Sequence, residues 1–332
     1  MEYLTSERVK DLMNKAGAES RPFLFAVDYE MERVLFTEDP FNQDQILFRF
    51  GTNINYTDDS LAGSCDGEKR MKIVEPFPFE EYRKEFRIIM SGLKRGDSYL
   101  ANLTVRTEIE TNLNFSEIMR HSTSPFGLCV GDDFISFSPE RFVKIENGVI
   151  SSFPMKGTID ASLPDAESRI MEDYKESCEH NTIVDLIRND LGIVSESVWV
   201  ERFRYLDTIK TDRSEIIQVS SEIRGKLSEN YQQKLGDIIF ALLPAGSVSG
   251  APKPSTVKLI ASAEATKRGF YTGVAGYFDG KTLDSCVLIR YIEKDEQGKL
   301  YYRSGGGVTV NSLCNDEYQE IIEKIYLPGS YK

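Results

Sequence analysis

The antiparallel character of the chain is clearest in residues 140–158, which read ERFVKIENGVISSFPMKGT. Apolar and polar residues alternate over 141–146 and over 149–153, which is typical of two strands that each bury one face. Between them lies Asn147-Gly148, a dipeptide that favours a two-residue hairpin turn because both residues tolerate positive φ angles. The stretch therefore predicts a β-hairpin, with Lys156 shortly after its second strand.

Strands and helices occur in blocks along the rest of the chain. Further strands are predicted over 23–27, 98–109, 126–130 and 134–137. Helices are predicted over 1–20 with Ser6 as a cap, 79–94, 165–191 and 315–327, and a mixed block of helices and strands over 228–303. From 39 to 78, short polar pieces punctuated by Gly63, Gly67, Pro76 and Pro78 predict loops. Because the elements do not alternate as in a parallel sheet, and no linker separates two halves, we expect an α+β fold in one large domain, residues 1–332.

The composition excludes several classes of protein. The 332 residues include 40 basic and 53 acidic side chains, a net charge of −13, and 40% are hydrophobic, enough for a substantial core. With this charge and no basic run, we expect no nucleic-acid partner. No stretch approaches the roughly 20 apolar residues of a membrane span, and the polar N-terminus has no signal-peptide core. These features predict a cytoplasmic protein without a membrane partner.

Cysteine usage indicates neither a disulfide framework nor a zinc site, because the five cysteines form no CxxC pair and only two histidines are present. Gly127–Gly131 fits the GxCxG form of a glutaminase nucleophile, but no suitably placed histidine base follows Cys129. We interpret Cys129 as a buried structural residue. The five cysteines are Cys65, Cys129, Cys178, Cys286 and Cys314.

Two pairs of glutamates could bind a metal. Glu176 and Glu179 are three residues apart on one predicted helix, and Glu317 and Glu320 have the same spacing on another, so each pair shares a helix face. If the two helices meet, four carboxylates converge, which is unfavourable without a cation. Magnesium would suit such an oxygen-rich site. Two solvated glutamate faces would explain the same spacing.

Three other segments could contact an anion or carry chemistry. Gly305–Gly307 lets the backbone approach an anion closely, although a tight turn would explain the three glycines equally well. The small-residue loop Ala245–Lys253 resembles an anion cradle but lacks the ending of a nucleotide-binding P-loop. The predicted hairpin brings Glu140 towards Lys156, where they could act as an acid and an amine nucleophile, or form a salt bridge.

Taken together, eight ordered motifs resemble the chorismate-utilising enzymes. The resemblance covers residues 85–327 as a catalytic core and leaves 1–84 as a shortened N-terminal part. It implies two facing antiparallel β-sheets with helices packed outside and the site between the sheets. The motifs are Ser138–Phe142, Pro154–Thr158, Glu179–Gly192, Gly246–Lys253, Arg268–Gly273, Asp284–Arg290, Gly305–Val308 and Glu317–Glu320.

Within these enzymes, the residue at the Lys156 position separates the members chemically. Anthranilate, isochorismate and salicylate synthases characteristically have a small residue there, whereas aminodeoxychorismate synthases have a nucleophilic lysine. Isochorismate and salicylate synthases also have a water-activating lysine where this chain has Leu100. The resemblance therefore implies an aminodeoxychorismate synthase subunit, which converts chorismate and ammonia to 4-amino-4-deoxychorismate for 4-aminobenzoate and folate synthesis.

The resemblance also implies a role for each matched residue. Lys156 would attack C2 of chorismate and form a covalent intermediate, and Glu140 would protonate the departing C4 hydroxyl. Magnesium would be held by Glu179 and Glu320, with Glu176 and Glu317 in contact directly or through water. The expected substrate-binding residues are Gly157, Thr158, Tyr271, Arg290, Gly305, Gly306, Gly307 and Lys324.

Some features depart from the pattern, and two other functions stay open. Ile217 stands where many relatives have a histidine, and residues 1–40 lack the tryptophan-pocket element, so we expect no feedback by tryptophan. Because the chain has no complete glutaminase triad, ammonia must come from a separate glutaminase subunit or from solution. The alternatives are anthranilate synthase component I, which Lys156 opposes, and a non-catalytic scaffold that binds chorismate or a glutaminase.

Overall fold

The computed structural model describes residues 3–57, 71–210 and 215–327. Its strands form two antiparallel sheets. The first sheet has the order β11-β13-β10-β9-β16-β15-β1-β2, with β12 beside β13. Its strands are β1 (Phe23–Val27), β2 (Val34–Glu38), β9 (Arg141–Glu146), β10 (Val149–Ser152), β11 (Met155–Asp160), β12 (Ser197–Lys210), β13 (Glu215–Lys226), β15 (Val274–Phe278) and β16 (Leu283–Val287).

The second sheet has the order β14-β6-β18-β17-β8-β7-β3-β4, with β5 beside β6. Its strands are β3 (Ile46–Phe50), β4 (Asn53–Ile54), β5 (Met71–Glu75), β6 (Leu100–Thr111), β7 (Phe126–Val130), β8 (Phe134–Ser136), β14 (Gly250–Ala251), β17 (Tyr291–Lys294) and β18 (Leu300–Thr309). The helices are α1 (Ser6–Ala18), α2 (Phe79–Arg95), α3 (Phe115–His121), α4 (Ala166–Glu172), α5 (Tyr174–Val194), α6 (Leu235–Leu242), α7 (Gly246–Ser249), α8 (Lys253–Ala263) and α9 (Cys314–Glu323), with a 3₁₀ turn at Tyr231–Lys234.

The two sheets face each other with helices outside, as the resemblance implied. Along β1, Phe23 and Phe25 pack with residues of α1, α5 and α6, whereas Leu24 packs with residues of β3 and β7 in the other sheet. Every residue of β1 is buried, because one face meets helices and the other meets a sheet. On the far side of the second sheet, Leu103 packs under α2 and α8. The predicted α+β class is therefore confirmed.

The predicted hairpin is also confirmed. Strands β9 and β10 pair antiparallel, with Val149 opposite Glu146. Asn147 and Gly148 both have positive φ angles, 52° and 76°, as the two-residue turn requires. The predicted helix over 79–94 is α2, which ends where Gly96 adopts a φ of 83°.

Several boundaries differ from the prediction. The expected loop region 39–78 contains β3, β4 and β5, while Gly63 and Gly67 lie outside the described residues. Strand β3 forms because it pairs with the buried strand β7, a partner about 80 residues away that local sequence does not reveal. The helix predicted over 165–191 is two helices, because Asp173 leaves helical geometry and its side chain caps α5 by accepting from Glu176 N at 2.9 Å.

The ends of the chain follow the prediction with smaller shifts. Helix α1 is capped by the side chain of Thr5, not by Ser6. The predicted C-terminal helix 315–327 is shorter, since α9 ends at Glu323. The long hairpin of β12 and β13 was not predicted. Across the described ranges, the helices are all too short or too polar to cross a bilayer.

Candidate active site

A cavity of about 580 Å³ lies where both sheets meet α5, α9 and the loop that contains α7. All the residues that the sequence singled out for catalysis, metal binding and substrate binding line this one cavity. They are Glu140, Lys156, Gly157, Thr158, Glu176, Glu179, Tyr271, Arg290, Gly305, Gly306, Gly307, Glu317, Glu320 and Lys324.

Lys156 lies in a β-bulge. Strand β11 pairs Met155 with Ser220 and Thr158 with Gln218, so two residues of β11 face one residue of β13. Gly157 has a φ of +80°, and a Cβ there would lie 3.1 Å from Oε2 of Glu176. The positive φ favours glycine beside the lysine, and a Cβ there would also have to displace the Glu176 carboxylate slightly.

The Lys156 amine points at the glycine strand, which is the Gly305–Gly307 segment of β18. Its Nζ lies 3.8 Å from the position that a Cβ at Gly307 would occupy, so a side chain at Gly307 would take space next to the amine. Within the described ranges, this amine has neither a hydrogen bond nor an ion pair. The nitrogen is thus available to a molecule in the cavity.

Glu140 stands just before β9 and is held in place on several sides. Ser247 Oγ donates to its Oε1 at 2.5 Å, and its backbone N–H donates to Ser138 Oγ at 3.1 Å. Burial raises the pKa of Glu140, against the opposing effects of the Ser247 hydrogen bond and of Lys156 and Lys324. A raised pKa favours the protonated carboxyl, which is the form that can donate a proton to a leaving group.

The four glutamates reach the cavity from two helices. A Cβ at Gly306 would lie 3.4 Å from Oε2 of Glu317 and 3.9 Å from Oε1 of Glu320, so these two carboxylates lie beside the glycine strand. Lys324 Nζ lies 2.7 Å from Oε1 of Glu320 and donates to Gly305 O at 2.9 Å. Among the described residues, no three acidic, histidine or cysteine side chains are already close enough together to bind one metal ion.

Tyr271 and Arg290 form a polar part of the cavity wall. Burial raises the pKa of Tyr271 to about 12, so its hydroxyl stays a neutral donor. Arg290 donates from Nη1 to Lys324 O at 2.9 Å, and its buried Nε has no hydrogen-bond partner in the described part of the chain. Arg290 and Thr272 have positive φ angles of 53° and 60°, and strained backbone of this kind is common at functional sites.

A buried ion pair supports the second-sheet side. Arg268 is 1% exposed, and its Nη2 lies 2.6 Å from Oε1 of Glu264. The same guanidinium donates to Val248 O at 2.9 Å and to Asn102 O at 2.6 Å. It thereby joins the α7 loop to β6 at the cavity wall.

His180 links α5 to the strand beside the lysine bulge. Its Nε2 lies 2.7 Å from Ser221 Oγ, and the backbone N–H of Ser221 donates to Pro154 O at 3.1 Å. Burial lowers the pKa of His180 to about 4, helped by Arg204 and Lys156, so the ring is neutral near pH 7. The contact fixes α5, which carries Glu176 and Glu179, against the segment that precedes Lys156.

The cavity also contains residues that the sequence did not assign to the site. Ser247 could have been found from the sequence, because it lies in the small-residue loop considered as an anion cradle. Lys253 of the same loop instead forms an ion pair with Asp190 at 2.9 Å. Ile217 packs in a core cluster under α4, and the next residue, Gln218, faces the cavity. The others are Leu100, Asn102, Met155, Val248, Ser249, Gly250, Thr272, Ile289, Tyr302, Arg303 and Ser304.

Comparisons with known proteins give a match to one family. Residues 21–328 match the family model described as chorismate binding enzyme. An uncharacterised PabA-like protein of Haemophilus influenzae is 46% identical over 325 residues, covering 98% of this chain and 97% of the relative.

More distant relatives have named activities. Anthranilate synthase component 1 of Acetivibrio thermocellus is 34% identical over 283 residues, covering 80% of this chain and 56% of the relative. Aminodeoxychorismate synthase component 1 of Salmonella typhimurium is 33% identical over 261 residues, covering 74% of this chain and 56% of the relative. The menaquinone-specific isochorismate synthase MenF of Escherichia coli superposes with a TM-score of 0.73 over 98% of this chain and 82% of its own, at 14% identity, and so shares the fold.

Proposed function

Because the chain belongs to the chorismate-binding enzyme family, we propose that it is an aminodeoxychorismate synthase subunit that converts chorismate and ammonia to 4-amino-4-deoxychorismate. The observation that carries the proposal is the amine of Lys156, which opens on the same cavity as Glu140 and the glycine strand. A relative named aminodeoxychorismate synthase component 1 supports the assignment at 33% identity.

In the first half of the reaction, Lys156 acts as the nucleophile. Chorismate carries two carboxylates and a hydroxyl on C4, which is a poor leaving group in neutral water. In its neutral form, which the attack requires, the amine bonds to C2, the two ring double bonds shift, and the C4–O bond breaks. Glu140 gives its proton to the departing oxygen, which leaves as water, and Glu140 becomes a carboxylate. The raised pKa of Glu140 favours the protonated form that this step needs.

In the second half, ammonia displaces the lysine. Its lone pair bonds to C4, the double bonds shift back, and the C2–N bond to Lys156 breaks and returns the neutral amine. The new ammonium group on C4 loses a proton, which the Glu140 carboxylate can accept. Both residues thereby return to their starting protonation states.

The two substrate carboxylates need positive groups close by, because the net charge of −13 on the chain as a whole would repel an anion. Arg290 and Lys324 lie at the cavity, and the neutral Tyr271 hydroxyl can donate beside Arg290. The backbone of Gly305–Gly307 adds room for a close approach, because no side chain shields it.

Magnesium fits the donor set, since the four glutamates supply only oxygen and the ion needs just one or two carboxylates along with water. Glu179 and Glu320 would hold it, with Glu176 and Glu317 in contact directly or through water. When bound, the ion would draw electron density from the ring diene through the ring carboxylate. The position of Glu317 and Glu320 beside Gly306 would place the ion next to the glycine strand.

A separate glutaminase subunit is the proposed ammonia source, with free ammonia as the other possibility. Burial raises the pKa of Cys129 to about 12, and its thiol lies in a buried strand, so Cys129 does not serve as a glutaminase nucleophile. A cytoplasmic location, without nucleic-acid or membrane partners, completes the proposal.

The test is to incubate the purified protein with chorismate, Mg²⁺ and ammonium and to identify the product by liquid chromatography and mass spectrometry. The proposal predicts 4-amino-4-deoxychorismate, and Lys156→Ala should abolish it. Lys144→Ala is a matched control, because this lysine pairs with Glu146 on the surface. Anthranilate as the product would replace the assignment with anthranilate synthase, and Mg²⁺-dependent binding of chorismate without turnover would favour a scaffold.

A further inference from the structure

Asn102 has an unpaired carboxamide at the cavity wall. It lies on β6 opposite Gly307, the glycine whose position faces the Lys156 amine. Its Oδ1 is buried without a hydrogen bond, and its Nδ2 also has no partner within the described ranges. Burying an acceptor without a donor is unfavourable, so such groups are rare in folded proteins and call for an explanation.

The backbone of Asn102 is firmly held. Its carbonyl oxygen accepts from Arg268 Nη2 at 2.6 Å, and the buried Arg268 is itself fixed by Glu264. The backbone of Asn102 is therefore held at the cavity wall, and its side chain lines the cavity. A donor group on a molecule in the cavity is a natural partner for Oδ1.

We propose that Asn102 binds the C4 hydroxyl of chorismate, an inference that rests on the proposed function. The two carboxylates of chorismate are ionised near pH 7 and only accept hydrogen bonds. The C4 hydroxyl is then the one O–H donor on the substrate, and it matches the unpaired Oδ1. With its hydrogen donated to Asn102, the hydroxyl keeps its oxygen lone pairs free to accept the proton of Glu140.

The same residue would serve the second half of the reaction. Ammonia attacks C4, the carbon that the hydroxyl has left, and an N–H of ammonia can donate to the same Oδ1. That hydrogen bond would turn the nitrogen lone pair towards C4. Asn102 forms and breaks no covalent bond, and its role is to orient first the leaving oxygen and then the incoming nitrogen.

A binding cycle tests the contact independently of turnover. Chorismate and an analogue with hydrogen in place of the C4 hydroxyl are titrated calorimetrically into Lys156→Ala and into Lys156→Ala with Asn102→Ala, both with Mg²⁺. We expect Asn102→Ala to weaken chorismate about tenfold, as for one lost hydrogen bond, and to leave the analogue unchanged. An equal loss for both ligands, or no loss for either, would overturn the inference.

Kinetics give the second readout. In the otherwise native enzyme, Asn102→Ala should raise the KM for ammonium about tenfold, whereas Asn102→Asp, which keeps an acceptor oxygen, should retain hydroxyl binding. Asn311→Ala is the control, because Asn311 is exposed just beyond β18. Equal KM values for ammonium in Asn102→Ala and the native enzyme would contradict the inference.

The proposed function and the role of Asn102 can be disproved separately. If the native enzyme makes no aminodeoxychorismate, the proposed function fails, and the binding cycle still decides what Asn102 contacts. If the product forms and the cycle shows no coupling, only the role of Asn102 is wrong. Thermal unfolding of Asn102→Ala checks folding, and a normal transition is expected since the carboxamide has no partner to lose in the free protein.

Discussion

Ser247 Oγ lies 2.5 Å from Oε1 of Glu140. Burial raises the pKa of the Glu140 carboxyl, and this hydrogen bond partly offsets the rise. The α7 loop that supplies Ser247 is anchored through Val248 O to the buried Arg268. The acid of the proposed reaction is therefore tuned by a loop that the protein core holds in place.

Replacing Glu140 should remove the proton donor without harming the fold. We expect Glu140→Gln to lower kcat by about 10²–10⁴-fold, the usual range for a general acid, with the thermal transition unchanged or slightly raised. Steady-state kinetics with chorismate and ammonium measure the first effect. Native-like turnover in Glu140→Gln would exclude this carboxyl as the acid.

The pH profile should depend on Ser247. Protonated Glu140 is the active form, so activity is lost as pH rises through its pKa, which lies above the ordinary value. The Ser247 hydrogen bond lowers that pKa, and Ser247→Ala should raise it and move the alkaline limb of kcat to higher pH. An unmoved or lowered limb in Ser247→Ala would contradict the coupling.

Gly157→Ala separates backbone strain from crowding in the lysine bulge. Gly157 has a φ of +80° and lies close to Glu176, whereas Gly298 has a φ of +83° with open space around it. Both alanine variants should lose about 1 kcal/mol of stability through strain, measured by urea unfolding. Only Gly157→Ala should also lose most of its activity, because its Cβ displaces the Glu176 carboxylate in the cavity and its strain falls beside Lys156. Similar activity in the two variants would show that the bulge geometry is not critical.

Glu85 should make stability depend on pH. Burial and the nearby Glu264 raise the pKa of Glu85 from 4.5 to about 7, so the folded state favours the protonated carboxyl. Its contribution to the free energy of unfolding is present below pH 4.5 and is lost as pH rises through 7.

Glu85→Gln stays neutral and should remove this loss. Relative to the native chain, the variant should gain on the order of 1 kcal/mol at pH 8 compared with pH 5, a value reduced for partial solvent exposure. Urea unfolding at the two pH values provides the measurement, with Glu81→Gln on the exposed side of α2 as the control. The same pH dependence in Glu85→Gln as in the native chain would refute this assignment.

The Mg²⁺ requirement of activity should change when a cavity glutamate is replaced and should not change when a glutamate outside the cavity is replaced. We expect a chelator to abolish activity and Mg²⁺ to restore it, and we expect Glu179→Gln and Glu320→Gln to need at least tenfold more Mg²⁺ for half-maximal activity. Glu323→Gln should behave like the native enzyme, because Glu323 is on the same helix α9 and pairs with Gln319 at 3.1 Å. Activity that survives thorough chelation would remove the metal from the account.

The sequence predicted the features that depend on local pattern. The hairpin at Asn147-Gly148 and helix α2 each follow from turn chemistry or periodicity within one segment. The site residues came from ordered motifs, and all of them line one cavity.

The features that the sequence did not predict depend on strand pairing, packing or the conformation of a single residue. Strand β3 forms because Ile46–Phe50 pairs with Phe126–Val130, and the break between α4 and α5 rests on the capping of a single aspartate, Asp173. The burial of the Asn102 carboxamide without a partner is a property of packing that no local pattern reveals. Ile217 faces the core and Gln218 the cavity, a distinction set by strand register.

The most direct test of the central claim is mass spectrometry of the protein after incubation with chorismate and Mg²⁺ and without ammonium, which blocks the second half of the reaction. The account predicts a covalent adduct of chorismate less water on the peptide that contains Lys156, and loss of this adduct when ammonium is added. Product formation by a protein that never carries this adduct, or an adduct on a different residue, would contradict the account.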